Sequence, residues 1–159
     1  MKRLLSSLLA AIACFIAMPS VSAATPVIRI VDVPHRNFDG TFRDNDLATT
    51  LTPDGRLGKL LFQSNSAATW VIDAYLIDEI SDMADGYTFE GKDQPVGKSI
   101  AEIWLVQLKI ATIGNPIVAL PYGNPDPSLA RALAPSEINY YSTIGASRLE
   151  KFFGRPVIS

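Results

Sequence analysis

"ATWVIDAYLIDEISDMADG", residues 68–86, changes periodicity in the middle. Its first part, Thr69-Trp70-Val71-Ile72, is an apolar run without alternation, which reads as a strand buried on both faces. From Asp73 onward the apolar positions Leu76, Ile80 and Met83 recur at helical spacing and share one face. Asp73 is a residue type that caps helix N-termini, and Asp85-Gly86 is a stop. A strand running straight into a capped helix is half of a βαβ unit.

The same grammar repeats on both sides. "PVIRIVDV" (26–33) and "NPIVALP" (115–121) are further short, β-branched apolar runs. Ser99 and Glu102 have capping-box spacing before Ile100, Ile103, Trp104, Leu108 and Ala111, and Gly114-Asn115-Pro116 stops that helix. Asp126-Pro127 is a start signal for "SLARALA". A last helical pattern over 136–153 ends at Gly154, and "RPVIS" (155–159) reads as the opening of another strand. Trp70 and Trp104, among apolar neighbours, are expected in the core.

The expected order is strand, helix, strand, helix, strand, helices and a final strand. Strand starts near residues 28, 69, 116 and 156 imply right-handed βαβ units in a parallel sheet of three to four strands. A closed eight-unit barrel takes about 250 residues, more than this chain of 159 supplies. The expected α/β fold is therefore an open sheet, or the first part of a (β/α) barrel. A partial barrel leaves sheet edges and an apolar face uncovered, which favours a homodimer or aggregation.

The opening "MKRLLSSLLAAIACFIAMPSVSA" has two early cations, an apolar stretch and a small-residue ending. That is the pattern of a secretory signal peptide over residues 1–23, cleaved after Ala23, with a retained membrane anchor as the alternative. It implies an extracytoplasmic location, secreted or in the cell envelope, and a single domain over 24–159. Cleavage removes Cys14, the one cysteine, so neither a disulfide nor a Cys-bound metal is expected. It also leaves 12 basic against 16 acidic residues, about −4 with His35 neutral. Without a basic stripe, nucleic acid is not an expected partner.

In parallel α/β folds ligands gather beyond the carboxyl ends of the strands. The candidate rim is Asp32 and His35 after the first run, Asp73 after the second, and Tyr122, Asn124 and Asp126 after the third. Carboxylates delivered by three successive strands could serve a divalent cation or acid–base work on a sugar. Each residue also has a structural role available. Asp73 and Asp126 stand where caps are expected, Asp32 and His35 flank Pro34 in a turn, and the stretch from Tyr122 to Asn124 is a stiff loop with one residue at positive φ. "DNDLATTLTPDG" (44–55) lacks the spacing of a calcium loop. There is no GxSxG elbow, phosphate loop or HExxH, and one histidine cannot build a multi-His zinc site, so no cofactor or metal is expected.

Three blocks, "VDVPHRNFDGTFRDNDLATTLTPDGRLGKLL", "ATWVIDAYLIDEISDMADGY" and "VALPYGNPDPSLARAL", together resemble consecutive segments of an actinobacterial family of large exported envelope glycoproteins of unknown function. The resemblance covers Ile28 to Ala134. The family's strand ends read approximately D-x-P-H-R, T-W-x-x-D-P and L-P-Y-x-D-P-D. Asp32, Pro34, His35 and Arg36 match the first; Thr69, Trp70 and Asp73 match the second, with Ala74 in place of proline. Leu120, Pro121, Tyr122, Pro125 and Asp126 match the third, but Asn124 replaces its acidic residue and removes a carboxylate from the rim. The resemblance implies a barrel distantly like those of polysaccharide deacetylases and glycosidases, here in a shortened copy. Two readings of function follow. One is a non-catalytic scaffold or interaction module whose partner is an envelope glycan or protein; the other is a carbohydrate-binding or carbohydrate-modifying domain.

Overall fold

The computed structural model describes residues 25–62 and 67–159. The expected signal peptide and Cys14 lie outside them. The elements run β1 (Val27–Ile30), α1 (Asp46–Leu51), α2 (Arg56–Phe62), β2 (Thr69–Ile72), α3 (Ala74–Asp85), β3 (Thr88–Phe89), β4 (Lys92–Asp93), α4 (Pro95–Ala111), β5 (Ile117–Ala119), α5 (Pro127–Leu133) and α6 (Glu137–Phe153). The sheet is parallel and open, in the order β1-β2-β5. Val27 pairs with Thr69 and Ile30 with Ile72, while Trp70 pairs with Ile117. Ile158 forms a parallel bridge to Val118 on the outer edge of β5, so "RPVIS" takes the fourth-strand position by a single residue.

The strands are covered on one face, which corrects the expectation of burial on both. Ile30, Trp70, Ile72, Ile117 and Ala119 are buried, whereas their neighbours Arg29, Val71 and Val118 are exposed or half-buried. The strand order increases monotonically, so crossovers of one hand lay their helices on the same side. The other side of the sheet is left open, as the inside of a barrel would be before closure. Residues with β-branched side chains on that side satisfy strand propensity without being buried.

On the covered side, α3 packs against α4 and α6, and α4 also meets α1 and α2. Trp70 and Trp104 are fully buried among Leu47, Leu57, Leu76, Ile80 and Leu108. Gly145 lets α6 approach the end of β5. A Cβ there would stand 2.2 Å from the Leu120 carbonyl oxygen, and one turn earlier the Tyr141 carbonyl accepts the Tyr122 N–H at 3.0 Å.

Several elements differ from the sequence reading. Helix α4 starts at Pro95, not at Ser99: proline is pre-set for the first helical position, and Glu102 pairs with Lys98 at 3.1 Å instead of closing a capping box. Helix α1 falls within the stretch 44–55, considered above only as a calcium loop, and α2 follows directly after it. A tight β3–β4 hairpin precedes α4; Glu90 (φ 52°) and Gly91 (φ 71°) both take positive φ, the requirement of a type I′ turn.

Candidate functional site

The carboxyl ends of β1, β2 and β5 open into the loops 31–45, 73 and 120–126. Helix α3 starts there, and Tyr75, Asp78, Glu79 and Asp82 lie along it at helical spacing, on a stripe that adjoins its apolar face. Glu79 is fully buried. One of its carboxylate oxygens accepts the backbone N–H groups of both His35 and Arg36 at 2.9 Å, pinning the loop that leaves β1. The Arg36 guanidinium passes the face of Tyr75, 5.6 Å from the ring centroid, and pairs with Asp82. Tyr122 donates its hydroxyl to Asp78 at 2.9 Å, and Arg148 of α6 stands 3.6 Å from the same oxygen. Three segments distant in sequence are thereby fastened to one helix face by charge and hydrogen bonding.

The expected rim residues fall into separate arrangements. His35 is buried, with Nδ1 2.6 Å from Asp44 and Nε2 3.9 Å from Asp32. Asp32 accepts the Val33 N–H at 2.9 Å and faces Arg56 of α2 at 2.8 Å. Asp73, also buried, accepts from the N–H groups of Tyr75 and Gly123, each at 3.0 Å. It therefore caps α3 and ties the end of β2 to the loop after β5. Asp126 accepts the Leu129 N–H at 2.7 Å and caps α5. In the turn between, Gly123 (φ 77°) and Asn124 (φ 42°) both take positive φ, one more residue than expected. Of the residues in the α3 network, the sequence reading placed Arg36 after the first strand and Tyr122 after the third, but did not single out Tyr75, Asp78, Glu79, Asp82 or Arg148. The Tyr75-Asp78-Glu79-Asp82 spacing was the available signal.

Three cavities adjoin this network. One of about 270 Å³ is polar, lined by Arg36, Asp78, Ser81, Asp82, Tyr122 and Arg148. A cleft of about 840 Å³ shares Arg36 and Asp82 with it and extends past Phe42, Tyr87, Asp93 and Lys98. An apolar groove of about 370 Å³ runs between Tyr122 and the α5–α6 pair, past Leu129, Leu133 and Tyr141. Tyr122 and Asp126 contribute to these walls, whereas Asp32, His35, Asp73 and Asn124 line none of the three. Among the described residues no group of three or more His, Cys, Asp or Glu side chains is placed to hold a metal ion. No helix among them is long and apolar enough to cross a membrane.

The electrostatics follow from burial. Desolvation raises the Asp73 carboxyl above the ordinary 3.8; the nearby charges of Glu79 and Asp78 add to this, and the two N–H donors only partly offset it. The Tyr122 hydroxyl is raised strongly by desolvation, then by its bond to the Asp78 carboxylate. Desolvation also pushes Asp44 upward, but the hydrogen bonds from His35 and from the Asp46 N–H, with the charges of His35 and Arg43, outweigh it and leave the carboxyl below 3.8. Because its folded value lies below the unfolded one, Asp44 contributes stability above about pH 4 that is lost as the pH falls through the folded value. Asp73 has the opposite sign, since its ionisation costs more in the folded chain. Urea midpoints measured between about pH 5 and pH 3 are expected to fall less steeply in Asp44→Asn than in the parent. Parallel acid limbs would remove Asp44 from this role.

No family model matches the sequence, and no curated protein matches it.

Proposed function

We propose that this chain is an exported, non-catalytic interaction module of the cell envelope, whose strand-end residues hold loops in place. The carrying observation is Asp73: its buried carboxylate is taken up by two backbone N–H groups from different segments, a structural task, and it lines none of the three cavities described above. Asp126 is engaged in the same way as a cap. Export and envelope residence rest on the N-terminal pattern and on the resemblance of the three sequence blocks. The partner class is an envelope glycan or protein.

On this reading Asp126→Ala lowers unfolding free energy by about 1 kcal/mol, the cost of a lost cap. Asp73→Ala costs about 2–3 kcal/mol, because two donors lose their acceptor at a buried site. Both changes leave binding to envelope glycans unaltered where the variants are folded. The check is urea unfolding beside binding to isolated envelope polysaccharide. Glycan binding or turnover that disappears in folded Asp73→Ala would overturn the proposal.

A second reading, glycan recognition, draws support from the 840 Å³ cleft. Its carboxylates Asp39, Asp82 and Asp93, cations Arg36 and Lys98, and the Phe42–Tyr87 ring pair, 4.7 Å apart, supply the polar and aromatic groups such ligands need. Polysaccharide binding lost in Asp93→Ala, with stability unchanged, would favour it.

A further inference from the structure

Helix α4 is apolar on two sides. Its inner side carries Gly97, Ala101, Trp104 and Leu108, all buried. Its outer side carries Val96, Ile103, Val106 and Ile110, continued by Ile113 just past the helix, with 54–74 % of each side chain's residue surface exposed. A helix that is apolar all round is normally covered all round. The outer residues are also ordered. Val96, Ile103 and Ile110 are spaced by seven, as are Ser99, Val106 and Ile113, which are the a and d positions of a heptad seam.

We infer that this face pairs with α4 of a second copy of the chain, antiparallel, across a two-fold axis. In that orientation the a positions of one copy meet the d positions of the other: Val96 meets Ile113, Ser99 meets Ile110, and Ile103 meets Val106, each layer generated twice by the symmetry. The flank supplies the orientation. Glu102 and Lys109 are both exposed, seven residues apart, and stand one position before Ile103 and Ile110. In the antiparallel pair these flanking positions face each other, so Glu102 of each copy meets Lys109 of the other. In a parallel pair the same flank does not face itself. Within one copy Glu102 is drawn to Lys98 at 3.1 Å, and Lys109 lies over the Phe152 ring at 4.4 Å, so both charges are already held beside the seam.

The test is sedimentation equilibrium of residues 24–159, the chain left after the expected cleavage, from low to high micromolar concentration, with circular dichroism of each variant as a fold control. The parent is expected to dimerise reversibly, and Val106→Glu to stay monomeric with unchanged helicity. Glu102→Lys and Lys109→Glu are each expected to weaken the dimer about tenfold, a loss typical of a few unfavourable charge contacts. The double variant, which restores opposite charges across the axis, is expected to recover it. A parent that is monomeric throughout overturns the inference. So does a dimer indifferent to Val106→Glu, or one in which the double variant is no tighter than the singles.

Discussion

Glu79→Ala is expected to lower the unfolding free energy by about 3 kcal/mol or more. The change removes one carboxylate and leaves two backbone donors, those of His35 and Arg36, without their acceptor. Each buried unsatisfied donor costs about 1–3 kcal/mol. Arg36 also loses a carboxylate 3.8 Å from its Nε, although Asp82 remains beside it. Glu79→Gln is the informative companion: its amide oxygen can still accept both N–H groups, so it is expected to recover most of the loss. Urea unfolding of the two variants checks this. A Glu79→Ala chain within about 1 kcal/mol of the parent would show that the loop after β1 does not depend on the contact. A Gln variant as unstable as the Ala variant would shift the effect from hydrogen bonding to charge.

Trp104→Ala is expected to cost about 3–5 kcal/mol, the range for deleting a large buried aromatic side chain. Trp104 is fully buried on α4, where that helix meets the rest of the core. Domains of this size hold a net stability of about 5–15 kcal/mol, so the variant is expected to be partly unfolded near body temperature. The indole N–H has no hydrogen-bond partner among the described residues. Trp104→Phe therefore removes an unsatisfied donor along with part of the ring, and its cost should be clearly smaller. Thermal unfolding followed by circular dichroism, which does not rely on the tryptophan signal, separates the two. Equal losses for Phe and Ala would mean that the second ring of the indole carries the packing.

The two variants probe different kinds of information in the chain. Trp104 was legible as core because apolar neighbours surround it at helical spacing, and burial of large apolar side chains follows from composition and periodicity. Asp73 and Asp126 were legible as caps because a cap acts on N–H groups two or three residues away. Gly154 likewise marks the end of α6, where it takes φ 66°. The parallel pairing of β1, β2 and β5 follows from strands alternating with helical segments. Such features depend on contacts within a few residues or on simple repetition, and the sequence by itself determined them.

Glu79 lay beyond that reach. A glutamate on a helix reads as a solvated residue, and its burial is decided by N–H groups 43 and 44 positions earlier. The joining of Tyr122 and Arg148 at Asp78 likewise depends on how α6 settles against β5, which Gly145 permits by its missing side chain. The one-sided burial of the sheet was also hidden, because a run of β-branched residues looks the same whether its second face is covered or open. The candidate rim shows the same limit: each residue's position at a strand end was readable, but not which backbone groups would claim it. Only the tertiary structure decided those partners, because hydrogen bonds and ion pairs between distant segments depend on distances that no local pattern encodes.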